Sequence, residues 1–216
     1  MKSTKRAGTQ RRKTFRHGDL RRALLEAGIE LARAGGPHAI VLREATRTAG
    51  VAPNAAYRHF ANHQDLLQAV RSTALAMLAK AIEVEIGKAQ RRREPGPALA
   101  RATLRAVGTG YLNFAISEPG LFRTAFLAPD RVENDTDPAK AGQSGLNPFQ
   151  LLGSALDLLV ETGVLPRERR AGAEYAAWSA VHGLAFLVIE GPLHGASKFQ
   201  VRSLSERILE MVEKGL

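Results

Sequence analysis

Between positions 41 and 60 the chain reads VLREATRTAGVAPNAAYRHF, two short helical stretches joined at Gly50 and Val51. No other stretch limits the fold so tightly. Gly50 can take the left-handed backbone of a tight turn. Ala45 and Ala49 are small enough for a first helix over 43–49 to pack closely on a second over 54–60. Val51 and Ala56 supply apolar plugs between the two. Two short helices in this relation make a helix-turn-helix, whose second rod can lie in a DNA major groove, where base edges are distinguishable.

The flanks extend the helical pattern. Leu20, Leu24, Ala27 and Leu31 recur on one face of a helix over 19–34, stopped by Gly35, Gly36 and Pro37. A long helix starts near position 64 with Leu66, Leu67, Val70, Leu75 and Leu78 along it. It fades near Arg91, Arg92 and Arg93, and Pro95, Gly96 and Pro97 break the chain. Further helices are expected over 98–117, from Pro119 onward, and over 148–162, 167–190 and 197–214. Residues 129–146, rich in Pro, Asp, Asn and Gly, read as a long loop. No strand pattern or internal repeat emerges. The expected fold is all-α, with about nine helices in three parts: a basic flexible arm (1–17), a three-helix DNA-binding head (18–78) and a helical ligand-binding and dimerisation body (79–216).

The charge is divided in the same way. Of a net +10, residues 1–71 carry 14 Lys and Arg against 5 Asp and Glu, and residues 72–216 carry 17 against 16. A polyanion-binding head on a nearly neutral body fits this asymmetry, with double-stranded DNA the first candidate and an acidic membrane surface the second. A merely solubilising basic tail is the plain alternative. No apolar run is long enough to span a membrane. The basic N-terminus has no apolar segment behind it, so no secretory signal is expected, and a cytoplasmic location fits. There is no cysteine, which excludes disulfides and thiolate metal sites.

At Gly50, Val51, Tyr57 and Phe60 the chain resembles the TetR family of bacterial transcription regulators, whose pattern has a Gly-Val turn, a short recognition helix and a Tyr-x-x-Phe ending. Asp65, Leu66 and Leu67 match the family's opening of helix 4, and the likeness covers roughly 18–78. It implies that Arg43 contacts a base or phosphate, and that Pro53, Asn54 and Ala55 face base edges. It implies phosphate contacts from Tyr57 and His59, either kind of contact from Arg58, and an inward-packed Phe60. Ala52 stands where the family often has a capping Ser or Thr, so Asn54 is expected to take over part of that capping. His63 replaces a Lys and makes a weaker phosphate contact when neutral.

The body carries Trp178, His182 and Gly183 in a spacing that resembles one TetR subgroup, as does EPGLF at 118–122. Such bodies hold an inducer pocket, which Tyr111, Phe114, Phe122, Phe126, Trp178, His182 and Phe186 are expected to line. Each aromatic taken singly reads equally as core. A buried His182 needs a partner, whether ligand, backbone carbonyl or tyrosine. The 174–193 stretch is apolar almost all round, so it should face both its own core and a second copy. The implied function is a ligand-responsive repressor that binds a palindromic operator as a homodimer. Its partners are DNA, itself and a small-molecule effector. No cofactor, metal site or enzymatic activity is expected. His59 and His63 have a metal-ligand spacing that nothing completes, Gly108 to Gly110 lacks a preceding strand, and no nucleophile elbow or phosphate loop occurs.

Overall fold

The computed structural model describes residues 17–91, 94–127 and 135–216, and every regular element among them is helical. The α-helices are α1 (His17–Gly35), α2 (Leu42–Ala49), α3 (Pro53–Ala56), α4 (His63–Gln90), α5 (Pro97–Ser117), α6 (Pro119–Ala125), α7 (Pro148–Glu161), α8 (Ala173–Ile189) and α9 (Lys198–Gly215). The expected basic arm, except its last residue, lies outside the described residues, as do Arg92 and Arg93.

The head forms because apolar side chains on three short elements find a common centre. Leu24 and Ala32 of α1, Leu42 and Ala45 of α2, Ala56 of α3 and Phe60 are all buried there. Gly50 makes the α2–α3 turn possible: its φ of 71° and ψ of 33° are left-handed. The Val51 amide returns to the Thr46 carbonyl at 3.0 Å across that turn. Thr46 is itself buried, and its hydroxyl donates to the Arg43 carbonyl at 2.7 Å, so the burial leaves no orphan donor.

α4 runs without interruption from His63 to Gln90 and packs on both α1 and α5. Its first turn is capped twice: the Asn62 side chain accepts the Asp65 amide at 2.9 Å, and the Asp65 carboxylate accepts the Ala61 amide at 3.0 Å. Leu66, Leu67 and Val70 face the head, while Leu78, Ala79 and Ile82 enter the body core, so one rod belongs to both.

α6 is the second link. A Cβ on Gly120 would collide with the carbonyl oxygens of Ala32 and Arg33, so this helix lies directly on the α1 backbone. The Arg33 guanidinium donates to Glu118 at 3.0 Å, and this contact holds its pKa above the ordinary arginine value. At the other end, the Arg71 Nε of α4 donates to the last α6 carbonyl, Ala125, at 3.0 Å.

Three expectations are corrected. The second helix of the motif ends at Ala56, not position 60: the His59 and Phe60 amides both converge on the Ala56 carbonyl, and the resulting turn swings Phe60 into the core. The helix expected over 167–190 is a 3-10 turn at Arg167–Arg169 followed by α8, which starts after Gly172 at φ 75°. The segment read as a loop over 129–146 is described from 135, and contains a 3-10 turn (Pro138–Lys140) whose Lys140 is buried against α4 and the cavity below.

Candidate nucleic-acid interface and ligand cavity

α3 and its following turn present a polar, cationic edge. Arg43, Pro53, Asn54, Tyr57, Arg58 and His63 are exposed, while Ala55 and His59 are half-buried. Tyr57 is 58 % exposed, which leaves its ring and hydroxyl open to a partner. Arg43 and Arg58 make no ion pair among the described residues, whereas Arg47 is held by Glu44 at 2.8 Å. The two unpaired cations flank α3, one at the start of α2 and one in the turn. Asn54 does not cap: the N-cap is Ala52, with no side-chain hydrogen bond, which leaves the Asn54 amide group outward. His63 is the first residue of α4, where helix amides and dipole favour an anion. Beneath this edge, Phe60 is 2 % exposed and the Arg21 guanidinium lies 5.2 Å from its ring centre, which fixes the turn against α1.

The second feature is a cavity of about 490 Å³ in the body, between α4, α5, α7, α8 and α9 and the 135–147 segment. Tyr111, Phe126, Trp178 and His182 line it. Phe122 stands just behind, packed on Tyr111, Phe126 and His182 at ring separations of 5.6, 5.0 and 5.5 Å. Phe114 is buried in the core away from the cavity, and Phe186 is 56 % exposed on the outer face of α8; neither lines it. Helical periodicity gave those two residues a face but not a neighbour.

Polar groups punctuate the wall. The Trp178 indole N–H donates to the Tyr111 hydroxyl oxygen at 3.0 Å, and that hydroxyl lies 2.7 Å from His182 Nδ1. Burial pushes the Tyr111 hydroxyl well above the usual tyrosine range and lowers the His182 pKa, so both are held neutral. Farther along the wall, Lys140 donates to the Asp135 carboxylate at 2.6 Å. Burial opposes ionisation of Asp135, but the Lys140 ammonium, the Asp137 amide and the nearby Arg71 outweigh it and lower its pKa. Sequence reasoning missed Arg71, Lys140, Asn147, Phe149 and Tyr175 in this lining. Only Arg71 left a signal, as a cation on the otherwise apolar face between Leu67 and Ala74. Among the described residues no group of three or more His, Cys, Asp or Glu could hold a metal, and no helix is long and apolar enough to cross a membrane.

Comparison with known proteins bears on both features. Residues 24–70, which hold α2, α3 and the turn between them, match the family described as bacterial regulatory proteins, tetR family. Residues 104–212, which hold most of the cavity wall, match the tetracyclin repressor-like C-terminal domain. No curated protein matches the sequence significantly. Among solved structures, a protein of unknown function from Rhodococcus sp. RHA1 is similar at 25% identity and a TM-score of 0.70, over 94% of this chain and 97% of that one. The TetR family transcriptional regulator PfmR from Thermus thermophilus shares the fold at 18% identity and a TM-score of 0.56, over 89% and 98% of the two chains. The transcriptional regulator FadR from Bacillus subtilis, solved in complex with stearoyl-CoA, shares it at 16% identity and a TM-score of 0.59, over 90% and 98%. With its C-terminal match spanning half its length and its N-terminal match centred on the helix-turn-helix, the chain belongs to the TetR family of DNA-binding transcriptional regulators.

Proposed function

We propose that this regulator is a ligand-responsive repressor that binds a palindromic operator as a homodimer in the cytoplasm, with residues 18–78 as the DNA-binding head and 79–216 as the sensing and pairing body. The observation that carries the reading is the continuity of α4. Its first residue, His63, stands on the exposed cationic edge, and Arg71, Leu75 and Ile82 farther along line the cavity. A change in cavity contents that tilts this rod moves the edge, and a few ångströms of mismatch deprive two recognition helices of a simultaneous fit. The effector need favour the released dimer by only a few kcal/mol. α6 provides a parallel route, since Phe126 lines the cavity immediately beyond a helix seated on α1. FadR, complexed with stearoyl-CoA, supplies a relative in fold that binds a small molecule.

On DNA, Pro53, Asn54 and Ala55 face base edges in this reading, with Asn54 suited to adenine and Ala55 to a thymine methyl. Arg43 reads a base or grips a phosphate, and Arg58 does either. Tyr57, His59 and His63 hold the backbone. Repression is the simpler sign, because occupying a promoter needs no further machinery.

The pairing surface is the outer face of α8 and α9, where Phe186, Leu187, Phe199 and Met211 are 56, 41, 81 and 54 % exposed. Large apolar side chains left exposed on two helices that pack together favour a second copy. Sedimentation of the native chain at micromolar concentration should give a dimer. Leu187→Glu combined with Phe186→Arg should give a folded monomer with much weaker operator binding. A native monomer, or a double variant that still sediments as a dimer, contradicts the pairing.

A further inference from the structure

We infer that the cavity takes an apolar molecule carrying one oxygen hydrogen-bond acceptor, and that the Nε2–H of His182 is the group that reads it. This rests on the cavity being the effector site, and it names the chemistry of the effector.

Tyr111 is 5 % exposed. Its hydroxyl oxygen already accepts the Trp178 N–H at 3.0 Å and has one proton to place. The partner within reach is His182 Nδ1 at 2.7 Å. Were Nδ1 protonated instead, the Tyr111 oxygen would receive two N–H groups, and its own proton would be left without an acceptor in an apolar wall. The Trp178 to Tyr111 to His182 chain therefore runs in one direction. It leaves Nδ1 as acceptor and puts the imidazole proton on Nε2. Burial keeps the ring neutral, so the doubly protonated form does not compete.

Nε2 lies on the opposite side of the ring from Tyr111. It has no protein hydrogen-bond partner among the described residues, and His182 lines the cavity. The walls around it are rings: Phe126 is 5.1 Å from the imidazole by ring centres, Trp178 is 5.9 Å away, and Phe149 stands 6.2 Å beyond Trp178. A hydrocarbon alone would fill this space and leave a donor unsatisfied. A ligand that offers a donor would meet another donor. An apolar body with a carbonyl or carboxylate oxygen meets both demands.

Butylbenzene and butyrophenone differ by a single carbonyl, and 4-phenylbutyrate carries the acceptor as a carboxylate. Binding of each to the full chain is read by calorimetry and by the emission of Trp178, the single tryptophan. In the native chain butyrophenone or 4-phenylbutyrate should bind about tenfold tighter than butylbenzene, the worth of one hydrogen bond formed in an apolar site. In His182→Phe that ratio should fall towards one. Tyr111→Phe, which keeps the imidazole but releases its tautomer, should give an intermediate ratio, and it serves alone if His182→Phe loses its helical circular dichroism. Preference for the ketone assigns the acceptor to neutral carbonyl compounds, and preference for the carboxylate assigns it to acids. Equal affinity of hydrocarbon and acceptor probes in the native chain, binding by none of the three, or a preference undiminished in both variants overturns the inference. Tight, His182-dependent binding with no change in DNA affinity would leave the inference standing and remove the effector role of the cavity.

Discussion

Tyr57 illustrates how little a residue's type says without its surroundings. Its ring is 58 % exposed at the end of α3, while Phe60, three residues on, is buried beneath Arg21. The exposed ring with a hydroxyl suits a phosphate, and the buried one holds the turn. Tyr57→Ala should therefore weaken binding to all DNA sequences alike, by about 10- to 100-fold for a lost hydrogen bond to a charged group, as measured by fluorescence anisotropy on operator and scrambled duplexes. A change in sequence preference alone would contradict the phosphate role. Arg43→Ala and Asn54→Ala should instead relax preference at particular base pairs by about 1–3 kcal/mol. Glu83 carries a different prediction. Its carboxylate accepts the Gln143 and Ser144 amides at 2.8 Å each and the Ser144 hydroxyl at 2.6 Å, which ties the 142–144 turn to α4. Burial works against the charge, but these three donors and Lys80 outweigh it, so the pKa lies below the ordinary 4.5. A folded-state pKa lower than the unfolded one adds stability above the unfolded value and loses it as pH falls through the folded value. Glu83→Gln should lower the melting temperature near neutral pH and flatten its decline between about pH 5 and pH 3, the window of an ordinary carboxylate. A variant with an unchanged acid slope would show that Glu83 does not supply it.

At the scale of elements, the local devices were legible and the distant ones were not. The α2–α3 turn could be read because its requirement is local: one residue with positive φ, supplied by Gly50, and small residues one helical turn apart. The stop of α1 and the start of α5 were equally plain in Gly and Pro. The length of α3 was misjudged because the pull that ends it comes from Phe60 entering a core built by α1, which no window of sequence contains. The seating of α6 on α1 joins residues 85 positions apart, Arg33 and Glu118, and only the fold brings them together. The cavity was half legible: periodicity selected Tyr111, Phe126, Trp178 and His182, but gave Phe114 and Phe186 equal standing, and it had no means of finding Lys140 and Asn147 in a polar segment. The α6 contact yields its own prediction. Gly120→Val places a side chain where the Ala32 and Arg33 carbonyls stand, so α6 must lift from α1. The cost should be at least the 1–3 kcal/mol of ordinary overpacking, about 2–12 °C in melting temperature for a chain of this size. A variant as stable as the native chain would mean that α6 is not pressed against α1.

The whole molecule is an exposed cationic edge and an aromatic-walled cavity joined by one unbroken helix. That helix is capped at the edge by Asn62 and Asp65 and lines the cavity through Arg71, Leu75 and Ile82. Each part has an ordinary explanation alone: a basic surface, a gap in a core, a long helix. In the proposed function they act together, the state of the interior space setting the position of the surface. That proposal calls for two copies, because a single short recognition helix discriminates weakly, whereas a pair reads a spacing. The most direct test is selection of preferred duplexes from a random pool with the native chain. Recovered sites should be inverted repeats whose half-sites lie about 34–36 Å apart, one turn of the double helix, with base preferences that soften in Asn54→Ala. Recovery of unpaired or direct-repeat sites, or of no preferred sequence at all, would contradict the account.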